Sequence, residues 1–134
     1  MKLKTVGYYK EMVQGRETDP SIYDFINKEN ADIIKNICNY LNQGIAFIVS
    51  PGTVSDVIHP ENGTVGISSS YTDGVWLWPG DLAYYVKKYS LKLPEEFVDT
   101  MQKNNWKVSY KLCEEDCDII EIDGINVLES VENK

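Results

Sequence analysis

The single histidine, His59, is the first residue of this sequence whose type could support catalysis. An imidazole titrates near physiological pH, so a histidine can act as a general base. Catalysis would also need a nucleophile or an orienting acid at a recognisable spacing, and the segment Ile58-His59-Pro60-Glu61 supplies no such spacing. We therefore interpret His59 as a turn residue before a proline. A small enzyme that uses His59 and nearby acids is a less favoured alternative.

The three cysteines, Cys38, Cys113 and Cys117, form no recognisable metal or redox motif. A structural zinc site needs four ligands, usually supplied by closely spaced Cys or His pairs. The three residues between Cys113 and Cys117 are all acidic, which would raise the thiol pKa and reduce reactivity. The odd number of cysteines argues against a disulfide framework and favours a cytoplasmic location. Cys38 is expected to be a small core residue.

Some carboxylates are spaced as in acid–base or calcium sites. Glu95 and Asp99 lie one helical turn apart, yet acids are also favoured in the first turn of a helix by its dipole. Residues 116–121 are superficially similar to the start of a calcium loop but lack the glycine at its sixth position. No glycine-rich phosphate loop is present. We predict no catalytic, cofactor-binding or metal-binding residue.

The net charge of −8 is concentrated near the end of the chain. Between Leu112 and Asn133 there are eight acids and no Lys or Arg, whereas the rest of the chain has 13 of each sign. Such a segment repels nucleic acids and anionic membranes and attracts basic proteins. No stretch has the roughly 18 to 20 apolar residues of a membrane span. We predict that a basic partner binds the first six of these acids, Glu114, Glu115, Asp116, Asp118, Glu121 and Asp123.

The tryptophans Trp76 and Trp78 are a second candidate for partner binding. Because they alternate along a predicted strand, they project from the same face of that strand. Either a helix covers this face, or the tryptophans are part of an interface, where aromatic residues are enriched. The sequence leaves both alternatives open.

The helical segments are marked by capping signals and apolar periodicity. Asp19-Pro20 predicts the start of a first helix, and Asn30 is expected to cap a second one over residues 31–42. Pro79-Gly80-Asp81 predicts a third helix, with Pro79 at its first position. A fourth is expected to follow Leu93-Pro94 and to end near Asn104-Asn105.

The strand signals lie in the first dozen residues, in the middle of the chain and near its end. Leu3 to Met12 is expected to be extended, and the apolar run from Ile45 to Ser50 predicts a buried strand. Turn dipeptides at Asn62-Gly63 and Asp73-Gly74 predict an antiparallel meander over about 45–78. Asp123-Gly124 predicts a C-terminal β-hairpin, with Ile122 facing Ile125 and Ile120 facing Val127. We predict a single α+β domain over residues 1–134.

Part of the chain is similar to a group of small bacterial proteins. The similarity extends over about Gly7 to Trp106, and Trp76-Leu-Trp-Pro79 is its most specific part. These proteins resemble immunity proteins of polymorphic toxin systems, which neutralise a toxin by stoichiometric binding. The resemblance implies binding without catalysis and supplies no catalytic residues. The acidic C-terminal segment lies outside it.

These observations favour a non-enzymatic binding protein. Our prediction is an immunity-type inhibitor that neutralises a basic toxin, for example a nuclease domain, through an acidic surface. The alternative is a homo-oligomeric structural or regulatory protein in which the Trp76 and Trp78 face is the self-contact. In neither case do we expect a cofactor, a nucleic acid or a membrane as partner.

Overall fold

A computed structural model of the protein describes residues 1–112 and 120–126. Helices and strands are both present within these ranges, and the predicted α+β class is confirmed. The helices are α1 (Ala31–Leu41), α2 (Leu82–Tyr89) and α3 (Glu95–Lys103), with single 3-10 turns at Ile22–Asp24 and Pro60–Asn62. The strands are β1 (Lys2–Thr5), β2 (Ile45–Ile48), β3 (Thr53–Ser55), β4 (Thr64–Ile67), β5 (Ser70–Thr72), β6 (Trp76–Pro79), β7 (Glu121–Ile122) and β8 (Ile125–Asn126).

In the described part of the chain, the larger sheet contains six strands in the order β2-β5-β6-β1-β7-β8. β1 is parallel to both of its neighbours, β6 and β7, and the other pairs are antiparallel. The strands over 45–78 are therefore antiparallel to one another, as predicted, but they do not form one continuous meander. The chain leaves this sheet after β2, forms the separate β3–β4 pair, and returns as β5. It leaves just before Pro51, which has no N–H to extend the ladder.

Helix α1 begins at Ala31, as predicted, and ends at Leu41, one residue before the predicted end. The Asn30 side chain accepts a hydrogen bond from the Asp32 N–H at 3.0 Å. Ile37 and Leu41 are buried, and Cys38 is half-buried against the core. Gly44 follows the helix, and a Cβ atom there would lie 2.5 Å from the Trp78 ring. Only glycine therefore lets the chain pass this closely over Trp78.

Helices α2 and α3 also follow their predicted periodicity. α2 begins after Asp81 rather than at Pro79, because Pro79 is still the last residue of β6 and pairs with Ser70. α3 begins directly after Pro94, as predicted. The two helices bury their apolar stripes with α1 and the sheet. The most completely buried large side chains are Leu3, Ile22, Ile37, Tyr40, Trp78, Leu82, Tyr85, Val86, Leu91, Leu93, Phe97 and Met101.

The prediction of a helix after Asp19-Pro20 is wrong, because only the single 3-10 turn Ile22–Asp24 forms there. The Asp19 carboxylate accepts the Arg16 N–H at 2.8 Å and does not cap a helix. The Glu11 carboxylate instead accepts the Ile22 N–H and the Ser21 hydroxyl, each at 2.7 Å. A tertiary contact from Glu11 therefore fixes this turn.

A strand forms within the segment from Ile45 to Ser50, but the prediction that it is buried is wrong. β2 ends at Ile48 and lies at the edge of the six-stranded sheet, so its residues alternate between half-buried and exposed. Composition alone does not distinguish an apolar edge strand from a central one. The position of β2 depends on its pairing with the distant β5.

The C-terminal hairpin forms around the predicted turn. Ile122 is opposite Ile125 and Glu121 is opposite Asn126, as expected. The turn residues Asp123 and Gly124 have φ of +53° and +83°, the left-handed pair that such tight hairpins require. The hairpin extends the sheet through pairing of β7 with β1. The predicted partner of Ile120, Val127, lies outside the described residues.

Candidate partner-binding surface

Most of the acids predicted to bind a partner belong to the part of the chain that the structure does not describe. Glu114, Glu115, Asp116 and Asp118 lie outside the described residues, as do Cys113 and Cys117. Their role therefore stays a prediction from the sequence. Glu121 and Asp123 are described, and both lie at the β7–β8 hairpin.

The Asp123 carboxylate has several contacts within the molecule. It accepts hydrogen bonds from the Thr5 N–H at 2.8 Å and the Thr5 hydroxyl at 2.6 Å, and Arg16 lies 3.5 Å away. Burial alone would raise the pKa of Asp123, but these contacts outweigh burial and lower it. Asp123 thus anchors the hairpin on β1, and its partner-binding role stays a prediction. The Glu121 side chain has no hydrogen bond or ion pair with the rest of the described chain.

Trp76 and Trp78 are core residues, so the prediction that they bind a partner is wrong. Helix α3 covers them, and the Phe97 ring lies 5.3 Å from the ring of Trp76 and 5.4 Å from that of Trp78. The Trp76 Nε1–H also donates to the Thr100 hydroxyl at 3.1 Å. The alternative in which a helix covers the tryptophan face is the correct one. A self-contact through this face is excluded for the same reason.

A second acidic face, separate from the C-terminal segment, lies on α3. Glu95, Glu96 and Asp99 are exposed on the first two turns of the helix. The buried residues of α3, Phe97 and Met101 among them, direct these acids away from the core. Among the described residues, none of the three carboxylates has a hydrogen bond or an ion pair. They are therefore available to an external cation.

Two of these acids border a small cavity between α3 and the segment before α1. The cavity has a volume of about 100 Å³, and we call it the acidic cavity. Three of its lining residues are apolar, and its charged lining residues are three acids and one base. The lining residues are Glu29, Ile33, Lys92, Leu93, Glu95, Val98 and Asp99.

Glu29 is the least expected residue of the acidic cavity. Only 2% of its side chain is exposed. Oε2 accepts the Asn30 N–H at 2.9 Å and lies 3.8 Å from the Lys92 Nζ, which is beyond hydrogen-bonding distance. Oε1 is buried and has no hydrogen-bond partner in the described structure. An unpaired buried carboxylate oxygen costs about 1–3 kcal/mol, so Glu29 would gain from a stronger donor than Lys92.

A larger cavity of about 320 Å³ adjoins the acidic cavity, and Lys92 lines both. We call it the aromatic cavity, because Tyr8, Tyr9, Phe25 and Trp76 contribute to its lining. Its charged lining residues are Asp19, Glu96 and Lys92. Asp19 already pairs with Arg16 at 3.2 Å. The aromatic cavity is therefore close to neutral, whereas the acidic cavity carries the excess of negative charge.

Next to His59, the carboxylate of Asp56 is the centre of a hydrogen-bond network. Asp56 is buried and accepts hydrogen bonds from the Tyr84 hydroxyl, the Tyr89 hydroxyl, the Asn62 amide and the His59 N–H. Burial alone would raise the pKa of Asp56, but these donors outweigh burial and hold that pKa well below its usual range. The network attaches the β3–β4 pair to α2. The His59 ring is exposed at the start of the Pro60–Asn62 turn.

The described part of the chain holds neither a cluster of metal ligands nor a helix that could span a membrane. In residues 1–112 and 120–126, no three His, Cys, Asp or Glu side chains are grouped so that they could hold a metal ion. None of the helices in these ranges is both long and apolar enough to cross a bilayer. Comparisons with protein-family models, with curated proteins and with solved structures find no match to this chain.

Proposed function

We propose that this chain is a non-enzymatic binding protein of the immunity type, which neutralises a basic toxin such as a nuclease domain. The observation that carries the proposal is the set of unpaired carboxylates on α3 beside Glu29, whose Oε1 is buried without a hydrogen bond. Carboxylates that are already in place lower the ordering cost of binding a cationic partner. The resemblance of residues 7–106 to immunity proteins agrees with this function.

An arginine side chain of the partner fits the acidic cavity best. A guanidinium group donates two parallel hydrogen bonds to one carboxylate, so it could satisfy both oxygens of Glu29. Lys92 is partly exposed and not hydrogen-bonded to Glu29, so it could move aside. Ile33, Leu93 and Val98 would contact the aliphatic part of the arginine. Glu95 and Asp99 would pair with further basic residues around it.

The C-terminal acids act at longer range in this proposal. Eight acids without a base between Leu112 and Asn133 produce a negative potential that accelerates the approach of a basic protein. The same potential disfavours nucleic acids and anionic membranes as partners. A cytoplasmic location, expected from the cysteine content, belongs to the same proposal.

The experiment is co-expression with a basic toxin domain encoded beside this gene. We expect the wild-type protein to protect the cells and to co-purify with the toxin at low salt. Failure of both protection and complex formation would refute the proposed function.

Charge variants then locate the binding surface. We expect Glu95→Gln/Asp99→Asn and Glu29→Gln each to weaken the complex at least tenfold, because they remove charge from the acidic cavity. Glu17→Gln/Glu61→Gln is the matched control for the double variant, since it removes the same charge from exposed acids that neither line the cavity nor lie on α3. Equal weakening by the control would show that only net charge matters.

A further inference from the structure

Within residues 1–112 and 120–126, the outer edge of β2 is open. There, β2 is the first strand of the six-stranded sheet and pairs only with β5. Apart from that pairing, no backbone group of Ile45–Ile48 has a hydrogen bond to another backbone group in the described structure. Such an edge presents free N–H and C=O groups that can pair with another strand.

The side chains at this edge are apolar and exposed. Ile48 is 48% exposed, and Val49, which follows β2, is 76% exposed. Ala46 is exposed as well. Together with the open backbone, these residues form what we call the β2 edge: Ile45–Ile48 and Val49. Exposed apolar groups beside an unpaired strand are characteristic of an interaction surface.

The β2 edge is also uncharged in a strongly acidic protein. Residues 36–55 and 62–72 contain no Asp, Glu, Lys or Arg, although the chain has a net charge of −8. Two copies of the protein can therefore meet at this edge without placing like charges in contact. A basic partner, in contrast, would find no acids here to complement its charge. The charge distribution favours a second copy as the occupant.

Two features limit the strength of the contact. β2 contains only four residues, and its register with β5 shifts between Ala46 and Ile48, which makes Phe47 a bulge. Backbone pairing alone would supply few hydrogen bonds. The contact would need the apolar side chains of Ile48 and Val49, and it would depend on protein concentration.

We infer that the β2 edges of two copies pair antiparallel about a two-fold axis and join the two sheets into one. A two-fold axis places each apolar edge residue opposite an apolar residue of the other copy. The inference concerns a different surface from the acidic cavity and does not rest on the proposed function. It also differs from a contact through Trp76 and Trp78, which are buried.

The test is the molar mass by sedimentation equilibrium over a wide range of concentration. As the concentration increases, we expect the apparent molar mass of the wild-type protein to rise from that of one chain, 15.3 kDa, towards twice that value. Ala46→Lys/Ile48→Lys should remain at the mass of one chain, because lysines at an edge block pairing. Ile125→Lys is the control, since it adds a charge at an exposed isoleucine of β8, the strand at the other end of the sheet.

Three results would overturn the inference: a wild-type mass of one chain throughout, an unchanged dimer in the double variant, or dissociation caused by Ile125→Lys. Amide hydrogen exchange of wild type provides a measurement that does not depend on whether a variant folds. Exchange of the β2 amides should slow as concentration rises, while exchange in β8 stays constant. No slowing in β2 would contradict the inference independently of the variants.

Discussion

Asp56 and Asp81 are both buried carboxylates, yet their surroundings differ. Asp56 is surrounded by hydroxyl, amide and backbone donors, so its ionised form is stabilised. Asp81 is buried where the only donor to its carboxylate in the described structure is its own backbone N–H. Burial raises the pKa of Asp81 to about 6, and that hydrogen bond offsets burial only in part. One aspartate thus contributes a stable ion, and the other opposes folding when it ionises.

The first prediction is that Asp81→Asn stabilises the protein above about pH 6. The pKa of Asp81 is raised in the folded state. Its favourable contribution to the free energy of unfolding is therefore complete below about pH 4 and is lost as pH rises through 6. The isosteric asparagine does not ionise. We expect the variant to exceed wild type in unfolding free energy by up to about 3 kcal/mol near pH 7, at about 1.4 kcal/mol per pKa unit.

Urea unfolding at a series of pH values from 4 to 8 measures this difference. The difference in unfolding free energy between variant and wild type should grow between pH 4 and 6 and then stay constant. A difference that is independent of pH would contradict the raised pKa of Asp81.

At the scale of elements, the hairpin of β7 and β8 is held to β1 by few contacts. The Glu121 N–H donates to the Met1 carbonyl and the Asp123 N–H to the Leu3 carbonyl, each at 2.9 Å. The Asp123 side chain adds its two bonds to Thr5. This side chain therefore contributes much of the local stability of the hairpin.

The second prediction is that Asp123→Asn loosens the hairpin. Asparagine tolerates the positive φ of this turn but cannot pair with Arg16 as an ion. We expect a local loss of about 1 kcal/mol, which corresponds to roughly fivefold faster exchange of the amides at 121 and 123. Glu121→Gln is the control, because the Glu121 carboxylate has no such contact within the described chain. Equal exchange in both variants would contradict the anchoring role of Asp123.

The elements that could be predicted from the sequence are those fixed by local signals. α1 has its asparagine cap, α3 follows Pro94, and the terminal hairpin has its Asp-Gly turn. The turn at Ile22–Asp24 and the edge position of β2 depend instead on Glu11 and β5, which are not local in the sequence. Local signals carry no information about such partners.

The candidate site was harder to predict than the elements. Glu29 has no feature in the sequence that marks it as buried. Its position results from hydrogen bonds of the Lys28 and Glu29 N–H groups to the Ser90 carbonyl, which is about 60 residues away along the chain. The alternation of Trp76 and Trp78 correctly places both on one face, but α3 covers that face through long-range packing. The spacing of the α3 acids is explained by the helix dipole alone, so it does not indicate that they border a cavity.

At the scale of the whole molecule, charged and uncharged surfaces are separated. The β2 edge lies in segments without charged residues, whereas unpaired acids lie on α3 and in the acidic cavity, and the C-terminal segment contains eight acids without a base. One arrangement can thus serve two contacts: a neutral edge for a second copy and an acidic surface for a basic partner. Only the acidic contact should weaken strongly with salt, because screening acts on charges.

The central claim, that a basic partner binds at the acidic cavity, is tested most directly by NMR. Hexa-arginine peptide is titrated into isotopically labelled protein at low salt, and the backbone amide shifts are mapped. We expect the largest shifts at Glu29, Ile33 and residues 95–99, smaller shifts for Glu95→Gln/Asp99→Asn, and retained shifts for Glu17→Gln/Glu61→Gln. Unchanged resonances at Glu29 and α3 in wild type, with peptide bound elsewhere or not at all, would contradict the claim.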